Sequence, residues 1–298
     1  MESKRKEVII DEKEAAGWVK DGMTIALGGH ITSTRPMALV RQIIKRGVKN
    51  LTVIGSSLGG LACDLLIGAG CVKKIICPYV GAEIFAPIGP FYRMKAEKGE
   101  LAVFECDEGM YYAGLRAAAQ FLPFVPWRGG VGTSFPEVNP EIKLFKDPIK
   151  GETLLAIPAL EPDIAIVHAA CADAYGNVQH HGYSFGDKNM SRAANKTIVE
   201  VEKVVSNEEI RKYPEKTTIP YADAVVRATY GCHPYASLGF YVEDREHIKE
   251  YLAAANAYVS GDKKPFESYL KKYILEPESH ADYLELVGMK RLLSLYEF

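Results

Sequence analysis

Residues 24–60 read TIALGGHITSTRPMALVRQIIKRGVKNLTVIGSSLGG, and this stretch decides the fold. Thr24-Ile25-Ala26-Leu27 is a short apolar run that ends at Gly28-Gly29. Pro36 then suits the first turn of a helix, where its missing N–H is no loss. That helix carries Leu39, Val40, Ile43 and Ile44 on one face and stops at Gly47, where a left-handed cap costs glycine little. Leu51-Thr52-Val53-Ile54 is the next strand, running into Gly55-Ser56-Ser57-Leu58-Gly59-Gly60. The repeat of strand, glycine turn and helix predicts an α/β architecture.

Working outward, Asp11 followed by Glu14 predicts a capped helix running to Val19. Short apolar runs at residues 74–79, 101–105, 153–157, 164–168 and 224–228 add strands. Runs this continuously apolar predict an open, mostly parallel sheet with helices on both faces. Asp173-Ala174-Tyr175-Gly176-Asn177 supplies turn chemistry between adjacent strands. Beyond Asp244 the pattern is helical, with Tyr251, Leu252, Tyr269, Leu270, Tyr283, Leu284, Leu286 and Leu292 as docking positions. The expected organisation is one α/β domain over residues 1–243, with residues 244–298 as a helical C-terminal tail packed on it.

Of the 298 residues, 48% are hydrophobic and 25% charged, enough for a sizeable core and incompatible with disorder. A net charge of −2, with Lys and Arg scattered, gives no footprint for nucleic acid or for an anionic membrane. The charged N-terminus and the lack of a long apolar stretch predict a cytoplasmic protein. Cys63, Cys71, Cys77, Cys106, Cys171 and Cys232 form no C-x-x-C pair, so buried free thiols are expected.

Glycine turns at strand ends are where open α/β sheets bind ligands. Residues 55–60 lack the Gly-Lys-Ser/Thr of a P-loop, and Gly28-Gly29-His30 lacks the third glycine of a dinucleotide fingerprint. Gly28 and Gly29 form either a plain tight turn or an oxyanion hole, whose bare amides approach a substrate oxygen. In Glu105-Cys106-Asp107-Glu108-Gly109, Asp107 suits a helix cap and Glu108 its first turn, or a carboxylate there serves as base or nucleophile. His180, His181 and His233 complete no metal-ligand spacing, and no metal is expected. Arg128-Gly129-Gly130-Val131-Gly132-Thr133-Ser134 is an anion-friendly loop or merely a turn, and no Gly-x-Ser-x-Gly elbow is present.

In order along the chain, residues 25–29, 79–81, 173–177, 207–211, 219–220 and 230–234 resemble the A-type halves of family I CoA-transferases, glutaconate type above all. The resemblance implies a CoA-transferase fold and a B-type partner, with the site in the crevice between the two. It implies CoA transfer between an acyl-CoA thioester and a carboxylic, often dicarboxylic, acid, with coenzyme A as substrate and no permanently bound cofactor. The nucleophilic glutamate, which forms a mixed anhydride and then a glutamyl-CoA thioester, would belong to the partner. This chain would supply the Gly28 and Gly29 amides, with Thr32, Ser33 and Arg35 holding a substrate carboxylate. Glu108 stands where those A-type halves carry glutamine. The segment from Glu105 to Met110 resembles the A-type half of the steroid-ring-opening CoA hydrolases, which implies catalytic carboxylates at Glu108 and Glu105. Residues 207–241 resemble the transferases more closely, which puts transfer first and hydrolysis second. A ligand-sensing regulator is a third reading, without a helix-turn-helix to support it.

Overall fold

The computed structural model describes residues 6–296. Among the described residues twelve strands occur in chain order: β1 (Thr24–Leu27), β2 (Leu51–Gly55), β3 (Val72–Ile76), β4 (Ala102–Phe104), β5 (Phe124–Trp127), β6 (Lys143–Lys146), β7 (Thr153–Pro158), β8 (Ile164–Ala172), β9 (Val178–Gln179), β10 (Lys196–Val204), β11 (Thr217–Ile219) and β12 (Ala224–Arg227). The main sheet runs β12-β10-β8-β1-β2-β3-β4, all parallel, and the far end of β8 adds β9 and β11 antiparallel. The strand order turns back at β1, so the β1–β8 edge is a topological switch point, the place where such sheets open a crevice.

Alternation along each strand builds both layers. Ile25, Leu27, Val53, Ile75 and Ile166 face one layer with helices Glu12–Gly17, Met37–Lys45, Gly60–Gly68 and Pro90–Glu97. Ala26, Ile54, Ile76 and Ala165 face the other, which holds helices Glu108–Ala119 and Asp187–Ala193. The expected fold class is the one observed. The run at 153–157 does form a strand, β7, but in a separate antiparallel sheet between β5 and β6. Leu155 and Ile157 cover helix Glu108–Ala119 instead of joining the parallel sheet.

The first helix is capped by Asp11, which accepts from the Glu14 amide at 2.7 Å. Asp173 organises the β8–β9 turn by accepting from the amides of Tyr175 and Asn177. All six cysteines are buried and free. Among the described residues no helix is long and apolar enough to cross a membrane.

Beyond Asp244 the chain is helical, and Ile248, Tyr251, Leu252, Phe266, Tyr269 and Tyr283 share one apolar cluster with Leu39 and Leu65. Leu286 remains 44% exposed and is not a docking residue within this chain. Asp64 ties these layers together: it accepts from the Tyr92 amide (2.7 Å) and from the Tyr251 hydroxyl (2.6 Å). Burial pushes its carboxyl up to about 6, although hydrogen bonds from Tyr251 and Tyr92 pull the other way. Because the folded value lies above the unfolded one of about 3.9, the folded state holds a proton the unfolded chain releases. Stability therefore falls as pH rises from about 4 to about 6. Asp64→Asn should flatten a fall of roughly 3 kcal/mol, read as urea midpoints across that range. An unchanged slope in the variant would refute this account.

Candidate functional site

Four loops meet at the carboxyl ends of β1 to β4, beside the switch point. The loop after β1 begins at Gly28, whose amide stays in the sheet and donates to the Ile166 carbonyl at 2.9 Å. The Gly29 amide donates to Asp187 Oδ1, also at 2.9 Å. A Cβ on Gly28 would meet that same Asp187 oxygen at 2.6 Å, and one on Gly29, at φ +91°, would meet the Thr34 carbonyl at 2.5 Å. Glycine is thus required here by packing and by backbone conformation. Both amides are engaged within the chain, which fits the tight-turn reading and leaves the oxyanion role that the resemblance implies without a free donor from this pair.

Arg35 departs from its expected role. It is fully buried, and its guanidinium donates to the carbonyls of Ile31, Gly28 and Leu58. The side chain therefore knits the loops after β1 and β2 together and presents no fork to a substrate. Thr32 and Ser33 are half-buried, and Ser33 Oγ donates to the His30 carbonyl at 3.2 Å. The loop is anchored from behind by residues 230–241, through Thr34 N to the Ala236 carbonyl and Ala236 N to the Thr32 carbonyl, each at 2.8 Å.

Beneath that anchor lies a polar group that sequence reasoning missed. His168 on β8 faces Glu200 across the parallel ladder, with Nδ1 3.0 Å from Glu200 Oε1 and Nε2 3.2 Å from Glu202 Oε1. Burial by itself lowers an imidazole, but Cys232, Glu200 and Glu202 around it hold His168 well above its ordinary value. Glu200 in turn accepts from the Leu39 amide (3.0 Å), joining this group to the helix that follows the β1 loop.

Glu105 and Glu108 are exposed at the end of β4. Asp107 performs the cap, accepting from the Met110 amide at 2.7 Å, and among the described residues Glu108 makes no hydrogen bond or ion pair. Tyr112, one turn further along, lies 3.2 Å from Ser57 Oγ at the end of β2. His30 stacks on Phe185 with ring centroids 4.2 Å apart. Burial and the nearby Arg35 lower the His30 imidazole, against the opposing charges of Glu83, Glu108 and Asp187. Ile31, Thr34, Glu83 and Phe185 all adopt positive φ without being glycine. Such backbone strain, of order 1–3 kcal/mol per residue, gathers where function over-determines the chain. At the end of β3, burial pushes the Cys77 thiol up to about 11, so it is no nucleophile at neutral pH.

The site is thus an open ridge of hydroxyls, carboxylates and one imidazole. A groove of about 630 Å³, lined by Pro87, Ile88, Arg93, Met94 and Val259 among others, contains none of these residues. His30, Ser57, Tyr112, Phe185 and Asp187 were not singled out by sequence reasoning. Position directly after a strand was the available signal for His30 and Ser57, and nothing local marks Asp187 or Phe185.

The family profile of the coenzyme A transferases matches residues 10–228, and the chain belongs to that family. The A-type half of glutaconate CoA-transferase from Acidaminococcus fermentans is 34% identical, over 94% of this chain and 91% of that protein. The crystal structure of that organism's glutaconate coenzyme A-transferase matches with a TM-score of 0.90 and 32% identity, over 97% of this chain and 96% of the other. The IpdA half of the cholesterol ring-cleaving hydrolase of Rhodococcus jostii is also 34% identical, over 93% of this chain and 99% of that protein. An uncharacterised Archaeoglobus fulgidus protein is 37% identical over 95% of this chain, which spans 63% of that protein's length.

Proposed function

We propose that this chain is the A-type half of a heteromeric CoA-transferase that moves CoA between an acyl-CoA and a carboxylic acid. A B-type partner would supply the nucleophilic glutamate. The observation that carries the reading is the open ridge at the switch point, with Glu105 and Glu108 exposed and no wall among the described residues closing over them. A second polypeptide seated there would complete a crevice, exclude water and bring its glutamate to the thioester. Thr32 and Ser33 remain candidates for holding a substrate carboxylate, by hydroxyl hydrogen bonds alone.

A second reading, hydrolysis of a CoA thioester with Glu108 as base, is favoured by one feature: Asp107 caps the helix, which leaves Glu108 unengaged. Glutamine in its place keeps shape and hydrogen bonding but accepts no proton. The test uses the chain co-expressed with its B-type partner, and compares CoA exchange onto an acceptor acid with CoA release without acceptor. Exchange that depends on both partner and acceptor, and that survives Glu108→Gln, is the expected result. Acceptor-independent CoA release, cut about 100-fold or more by Glu108→Gln, would replace transfer with hydrolysis.

A further inference from the structure

The ridge needs a hydrogen-bond donor for the oxygen of the thioester, where negative charge gathers as the carbonyl carbon is attacked. The amides of Gly28 and Gly29 are taken by the Ile166 carbonyl and by Asp187, and the Arg35 guanidinium is taken by three carbonyls. The residue that follows this pair has a donor to offer. His30 is half-buried, its ring plane is fixed by stacking on Phe185, and among the described residues its ring nitrogens make no hydrogen bond. We propose that His30 contacts the bound acyl-CoA and donates a hydrogen bond from its ring N–H to the thioester carbonyl oxygen.

The surroundings hold the ring ready for this task. Ile31 and Phe185, the first next to His30 in sequence and the second against it in space, are both forced to positive φ, at +39° and +41°. Asp187, two residues after Phe185, is fully buried and grips the Gly29 amide, while its other oxygen lies 3.2 Å from His180 Nε2. The stacking pair is therefore pinned on both sides by one carboxylate. The charged groups that act on His30 are Arg35 on its own loop, Glu83 after β3, Glu108 after β4 and Asp187. With the imidazole lowered by burial first and Arg35 second, the ring is neutral at pH 7 and carries one N–H. A neutral donor stabilises charge in the transition state without giving up its proton, so no proton transfer is asked of His30.

The assignment rests on the acyl-CoA reading, and the test separates the two. In the co-expressed complex, His30→Phe keeps an aromatic ring on Phe185 and removes both nitrogens, while His30→Gln restores an N–H donor. His30→Phe should lower kcat roughly 100- to 1000-fold, as loss of an oxyanion donor does, with KM for the acyl-CoA and the melting temperature little changed. His30→Gln should recover about tenfold or more of that loss. A His30→Phe complex with wild-type kcat, or a loss confined to KM that glutamine fails to restore, would overturn the assignment while leaving the acyl-CoA reading intact. A wild-type complex without thioester turnover would overturn both.

Discussion

Replacing His168 with leucine should lower the stability of the chain by about 3–5 kcal/mol, the loss seen when one partner of a buried ionic group is removed. His168, Glu200 and Glu202 are all buried, and the imidazole bridges the two carboxylates. The carboxylates keep other hydrogen bonds, Glu200 from the Leu39 amide and Glu202 from the Tyr230 amide and the Tyr241 hydroxyl. None of those donors carries a charge. Leucine therefore leaves two buried carboxyl groups without the imidazole that joins them. A drop in urea midpoint at pH 7 with an unchanged m-value is the expected readout, and a midpoint within error of wild type would refute it. The pH dependence has a defined sign. His168 is raised in the fold, so its contribution is fully present below the unfolded value of about 6.5 and is lost as pH rises through the higher folded one. His168→Leu should lack that alkaline loss.

Gly29→Ala should destabilise the chain by about 2–4 kcal/mol, from a left-handed backbone that alanine resists and from overpacking. The new methyl would lie 2.5 Å from the Thr34 carbonyl oxygen, which is backbone and held by the anchor to Ala236. The loop must therefore shift as a body, carrying His30 and Ser33 with it. Gly17→Ala is the control, since among the described residues nothing beyond its own helix backbone and chain neighbours lies within 4 Å of a Cβ there and φ is not positive. A Gly29→Ala chain as stable as the control would show that the β1 loop has more freedom than its contacts indicate.

Much of this fold was legible because its strands are buried on both faces. β1, β2 and β12 lie where apolar runs of four or five residues placed them, bounded by glycine or by a charged residue. β10 escaped notice: Lys196-Thr197-Ile198-Val199-Glu200-Val201-Glu202 alternates like a strand with one wet face, yet Glu200 and Glu202 are buried. Their partner His168 sits on another strand, and that pairing is invisible until the two strands are laid side by side. β5 and β6 were missed for a different reason. Their residues are largely exposed or half-buried, so no apolar periodicity distinguishes them from loop. At the site, the glycine pair was legible as a turn but the partners of its amides were not, because those groups lie on β8 and on helix Asp187–Ala193, well over a hundred residues away.

The apolar cluster that joins Leu39 and Leu65 to Ile248, Tyr251 and Tyr283 also bears on how the chain is made. A ribosome delivers the sheet first and these covering helices afterwards. At about 5–20 residues per second, the roughly 50 residues beyond Asp244 take several seconds to emerge. During that interval the layer formed by helices Met37–Lys45 and Gly60–Gly68 presents uncovered hydrocarbon to solvent, and Asp64 faces water without its tyrosine partner. The nascent chain carries that uncovered surface, and the aggregation hazard that goes with it, until those helices arrive.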